Sequence, residues 1–132
     1  MKLDHVAIAV TSLEETEALY KCLGLTVGGR EELPDMGIRV SFINIGETRL
    51  ELLESMNPSS TVAKFLASKG PGLHHIAFEV EDIYKSLKEM KEQGYRLIDE
   101  EPRPGAGNKL IAFVHPKATG GVLLELSQNP EK

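Results

Sequence analysis

Two segments each place a histidine in an apolar, strand-like run: "LDHVAIAV", Leu3 to Val10, and "GLHHIAFEV", Gly72 to Val80. Imidazole binds divalent metals and changes its charge near neutral pH, so paired histidines are the first residues to weigh for chemistry. Two later runs, "TRLELLE" and "GVLLELS", each hold one carboxylate among leucines, Glu51 and Glu125. A glutamate in a strand is costly to bury without a partner. A solvated sheet face is the plain alternative for either one taken alone. Glu51 follows His5 by 46 residues, and Glu125 follows His75 by 50. Two imidazoles with two carboxylates and open water positions suit Co, Ni, Mn, Fe or Zn.

The elements that must position these groups are written twice. Shifting the chain by 70 residues lays Leu3, His5, Ala7 and Val10 on Leu73, His75, Ala77 and Val80. The same shift lays Lys21 on Lys91 and Gly24 on Gly94. Each copy reads as a strand, a helix and three more strands. Val6, Ile8 and Val10 share one strand face, and His5, Ala7 and Ala9 share the other. Thr11 with Glu14, or Ser12 with Glu15, offers a capping box for a helix over 12–24. Its inward stripe is expected at Leu13, Thr16, Leu19, Tyr20 and Leu23. The second helix, over 82–94, takes Asp82 as cap and Ile83, Leu87 and Met90 as stripe. Strands are expected near 25–31, 38–45 and 48–54, then near 95–100, 108–114 and 121–127. A short helix over about 59–68 links modules of roughly 1–56 and 71–129 into a single domain, 1–132.

Neighbours in a strand point to opposite faces, so His74 and His75 cannot serve one site. The repeat selects His75, and His74 is expected either to be structural or to support the site from behind a ligand. If each half forms a curved sheet with its helix on the convex face, His5, Glu51, His75 and Glu125 can all project onto the concave faces. The small Ala7, Ala9 and Ala77 would then leave room for a substrate. His115, at a strand end before a Pro turn, is not counted among the ligands.

The chain has 132 residues, a formal net charge of -5 and 27% charged residues. That length can bury a core without staples, and the acidic balance argues against a nucleic-acid partner. No apolar run reaches a membrane span, and the N-terminus opens in a strand pattern rather than a secretory leader. A lone Cys22 offers no internal disulfide and is expected as a buried small hydrophobe. These readings point to a cytoplasmic protein.

The paired modules with "DHVAIAV" and "HHIAFEV" resemble the vicinal oxygen chelate superfamily, which includes glyoxalase I, extradiol dioxygenases and fosfomycin or bleomycin resistance proteins. Further stretches, "LELLESMNPSSTVAKFL", "EEPRPGAGNKLIAFVHPK" and "GGVLLEL", are most similar to its methylmalonyl-CoA epimerase family. The resemblance implies an α+β fold of two tandem βαβββ modules forming a curved mixed sheet around a metal-binding cleft. It implies a divalent ion (Co, Mn, Ni, Zn or Fe) on His5, Glu51, His75 and Glu125, a methylmalonyl-CoA substrate and a homodimer. The implied reaction moves one proton at C2 between (2R) and (2S) forms through an enolate. Some members carry a glutamate in the third strand as second base, and Val40 stands there in this chain. Glu125 and Glu51 are therefore the expected catalytic pair, with Glu51 moving protons as well as binding metal, or a bound water taking its place.

A glyoxalase I-like lyase can use the same four ligands, but "HPKATGGV" departs from the Asp-Pro turn common there. A non-catalytic binding protein needs no metal set, and an extradiol dioxygenase would normally lack Glu51. "RPGAGNK" is read as a loop; with Lys109 it is also a candidate phosphate grip.

Overall fold

The computed structural model describes residues 1–130; residues 131 and 132, the end of the predicted domain, lie outside it. The chain packs as two compact units, one of residues 5–74 and one of residues 1–4 with 75 onward. In the first half β1 (Lys2–Ala9) leads to α1 (Leu13–Cys22), then β2 (Val27–Leu33), β3 (Ile38–Ile45), β4 (Thr48–Ser55) and the linking helix α2 (Thr61–Lys69). The second half holds β5 (Gly72–Glu79), α3 (Ile83–Glu92), β6 (Arg103–Pro104), β7 (Leu110–Val114) and β8 (Leu124–Gln128). Strand order is β2-β3-β4-β1 in the first half and β5-β8-β7-β6 in the second. In each, the first strand pairs in parallel with the last, and the remaining pairs are antiparallel. This is the expected α+β class, with the βαβββ order in both copies.

Local chemistry explains the helices. Ser12, Ser60 and Asp82 are the N-caps, each accepting from the backbone N–H three residues on. Each repeat adds a second device that the sequence reading missed. The Leu13 N–H donates to Glu54 Oε2 at 2.9 Å, and the Ile83 N–H donates to Gln128 Oε1 at 2.8 Å. A side chain from the end of the last strand thus ties down an otherwise orphaned N–H at the first turn of the helix. Gly24 and Gly94 follow α1 and α3 at φ 94° and 84°, where an L side chain would be strained.

Each sheet packs its helix on one face. Ile8, Val10, Ile43 and Leu52 meet Leu13 and Tyr20 of α1, and Val80, Ala112, Val114 and Leu126 meet Ile83, Leu87 and Met90 of α3. On the opposite face of the first sheet, Ala7, Ala9, Val40 and Leu53 form a second core with Val62 of α2.

Three expectations change. The inward stripe of α1 runs through Leu13, Glu17 and Tyr20, leaving Leu19 and Leu23 57% and 69% exposed. Glu17 can be buried because Arg30 Nε and Ser41 Oγ both donate to its carboxylate. With that phase, Cys22 faces solvent rather than the core. The stretch 95–100 forms no ladder. It touches β7 at a single bridge, Leu97 to Val114, and the N–H groups of Ile98 and Asp99 both converge on the Phe113 carbonyl. Pairing restarts only at β6, which follows Pro102 and ends on Pro104, and both rings lack a ladder donor.

Candidate metal and catalytic site

Register builds the same row in both halves. Pairing of β1 with β4 and of β3 with β4 sets Ala7, Glu51 and Phe42 side by side. In the second half the row is Ala77, Glu125 and Phe113. The histidines lie two residues before the alanines, so they share the glutamate's face. His5 Nδ1 stands 3.2 Å from Glu51 Oε2, and His75 Nε2 stands 3.2 Å from Glu125 Oε1. All four side chains are buried, at 3–5% exposure. One histidine thus meets one glutamate within each half.

The donor chemistry fits a divalent ion. All four residues are of metal-ligating type and buried. Metal–nitrogen and metal–oxygen bonds of about 2.1 Å at right angles separate neighbouring donor atoms by about 3 Å. A histidine nitrogen and a carboxylate oxygen held 3.2 Å apart in each half match that edge. Buried carboxylates also need a partner of opposite charge, which a divalent ion supplies.

The surroundings of the two glutamates differ. Arg49, whose Cα is the register partner of His5, donates to Glu51 Oε2 from Nε at 2.9 Å, with Nη2 at 2.8 Å. Its guanidinium lies over Phe42, 5.5 Å from the ring centre. Leu123 stands two residues before Glu125, where Arg49 precedes Glu51. In the second half the His75 ring meets Phe113 edge-on at 5.4 Å, and Arg103 lies over the Phe113 ring at 5.5 Å. Arg49 was missed by the sequence reading. Its signal was the i, i+2 spacing to Glu51, which puts both on one strand face.

Other predicted residues sort as follows. His74 meets the Phe65 ring of α2 edge-on at 4.9 Å, away from His75. His115 Nδ1 accepts the Lys117 N–H and caps a 3₁₀ turn; burial, then Arg96 and Lys117, push its pKa below the usual value. Lys109 is no exposed phosphate grip, because its Nζ donates to buried Asp4 at 2.8 Å. Ala7 and Ala9 open no substrate space, since both are wholly buried in the core shared with α2. Val40 lies on the same face as Phe42, buried in that core, and brings no carboxylate from β3.

Comparison with known proteins gives the chain a family. The glyoxalase/bleomycin resistance protein/dioxygenase superfamily matches over residues 4–113, and the chain belongs to that superfamily. Within it, the chain is 44% identical to ethylmalonyl-CoA/methylmalonyl-CoA epimerase of Cereibacter sphaeroides, over 96% of this chain and 97% of the relative. It is 43% identical to the mitochondrial methylmalonyl-CoA epimerase of Bos taurus, over 96% of this chain and 74% of that one. A solved structure of a variant of Streptomyces coelicolor methylmalonyl-CoA epimerase, in complex with 2-nitronate-propionyl-CoA, superposes with a TM-score of 0.94 at 34% identity, covering 99% of each chain.

Proposed function

We propose that the chain is a metal-dependent epimerase interconverting (2R)- and (2S)-methylmalonyl-CoA. Its metal ligands are His5, Glu51, His75 and Glu125, and its two bases are Glu51 and Glu125. The observation that carries this reading is the repeated buried contact of one histidine with one glutamate, at 3.2 Å in both halves, in a chain so similar to named epimerases.

The C2 hydrogen of the substrate lies between a thioester and a carboxylate. A carboxylate base takes it as a proton, and the bond pair delocalises into the thioester as an enolate. A carboxylic acid on the opposite face returns a proton to C2, so the configuration inverts and nothing else changes. A bound divalent ion supplies Lewis acidity and a template for the substrate oxygens. The nitronate bound by the Streptomyces relative is a delocalised anion at the corresponding carbon, the charge type that loss of this proton creates. Positioned carboxylates contribute about 10²–10⁴-fold to such a transfer. His5 and His75 orient them from 3.2 Å, and burial keeps bulk water away.

Proton NMR of methylmalonyl-CoA in D₂O, with protein and added Co²⁺ or Mn²⁺, tests the reading. Loss of the C2 proton signal with interconversion of enantiomers supports it. A metal-loaded protein that leaves the signal intact overturns it, and turnover of the methylglyoxal–glutathione hemithioacetal would reassign the chain to lactoylglutathione chemistry. The reading extends to a single-domain cytoplasmic homodimer, which light scattering and cell fractionation check.

A further inference from the structure

Arg49 stands out because the repeat does not require it. The second half presents its glutamate beside Leu123, whereas the first spends two guanidinium N–H groups on a single oxygen of Glu51. That oxygen, Oε2, also lies 3.2 Å from His5 Nδ1. A divalent ion taking His5 and this oxygen would meet the positive guanidinium at hydrogen-bond range of its own ligand. Ion and arginine therefore compete for one acceptor, and like charges at such range repel. The Arg49 side chain is 21% exposed and rests on Phe42, so it can turn toward solvent without leaving its apolar support.

We propose that Arg49 is the stand-in counter-ion of Glu51 in the metal-free protein, and that metal binding releases its fork to grip the carboxylate of the substrate. The inference rests on the epimerase reading above and adds the recognition residue for the acid group. Guanidinium matches a carboxylate with two parallel N–H bonds, which an ammonium cannot reproduce. Binding of metal and of a carboxylate-bearing ligand is then coupled through one side chain. Each strengthens the other by the same factor.

The test compares wild type, Arg49→Lys and Arg49→Met, with folding checked by near-UV circular dichroism. Calorimetric titration of the metal-free proteins with Co²⁺ reads the competition. Arg49→Met is expected to bind Co²⁺ at least about tenfold more tightly than wild type, and Arg49→Lys, which keeps the charge, to stay close to wild type. Titration with malonate reads the grip. Co²⁺-loaded wild type should bind malonate more tightly than the metal-free protein does, and both variants should lose about tenfold of the loaded affinity. Unchanged or weaker Co²⁺ binding by a folded Arg49→Met overturns the stand-in role. Malonate binding that ignores the substitutions overturns the grip. Wild type that takes up no divalent ion removes the epimerase reading itself, and this inference with it.

Discussion

The two halves present the same row of alanine, glutamate and phenylalanine, yet the groups around it have diverged in opposite ways. In the first half a charge neighbours a charge: Arg49 holds Glu51, and beneath α1 a second ionic set joins Glu17, Arg30 and Ser41. The second half puts Leu123 at the first of these places, and buried Leu87 and Ala112 at the positions of Glu17 and Ser41. What both halves keep is the 3.2 Å histidine–glutamate contact. A duplicated fold tolerates either an apolar or a fully partnered polar plug under its helix. A donor set for the proposed metal would not vary as freely, because a metal needs specific atoms at a specific separation.

Removing a histidine from either half should have the largest effect. His5→Ala and His75→Ala are each expected to lose bound metal and essentially all activity, as elemental analysis and turnover will read. His74→Ala should keep its metal and lose only about 1 kcal/mol of stability with its Phe65 contact. Metal loss in His74→Ala alone would show that the halves do not share strand parity.

Next come the two glutamates proposed as bases. Glu51→Gln and Glu125→Gln can still offer a carbonyl oxygen but cannot take a proton. Each should lose epimerisation by about 10²–10⁴-fold and exchange the C2 proton of only one enantiomer in D₂O. Near wild-type exchange of both enantiomers by Glu51→Gln would make Glu51 a ligand only and leave the halves chemically unequal.

A smaller effect is expected from copying one half onto the other. Leu123→Arg gives Glu125 the kind of neighbour that Glu51 has, and should weaken Co²⁺ binding about tenfold. Unchanged affinity would mean that the arginine matters only with Phe42 beneath it.

The smallest effect concerns the plug under α1. The hydrogen bond from Arg30 is the largest influence on the Glu17 carboxyl and, with Ser41, outweighs the opposing effect of burial, so its pKa lies below the usual 4.5. A depressed carboxylate pKa contributes stability above the unfolded value, and that stability is lost as pH falls through the folded one. Thermal melts should therefore fall as pH drops below about 4.5, with Glu17 as one contributor. The double variant Glu17→Leu/Ser41→Ala, which puts the second half's residue types at these two positions, should flatten that dependence. Ser41→Ala alone should cost about 1 kcal/mol, since it removes one donor from a buried acid.

Periodicity carried much of this protein's local plan. Alternation in "DHVAIAV" and "HHIAFEV" separated His75 from His74, and the repeat offset paired the strands, helices and stopping glycines. Such features depend on backbone period and on a residue's own conformational limits, which are local and legible in a string. The inward face of α1 was not legible, because apolarity favoured Leu19 and Leu23 while burial went to Glu17, whose cost is offset by partners 13 and 24 residues away. Nor was the fate of 95–100, where donors converge on the Phe113 carbonyl instead of forming a ladder. Lys109 found Asp4 from 105 residues away, and Glu51 found Arg49 only once rotamers and neighbours were set. Types, spacing and period thus named the metal-ligand candidates. Which charges meet was decided by tertiary structure, because desolvation and pairing are properties of the assembled neighbourhood rather than of any one residue.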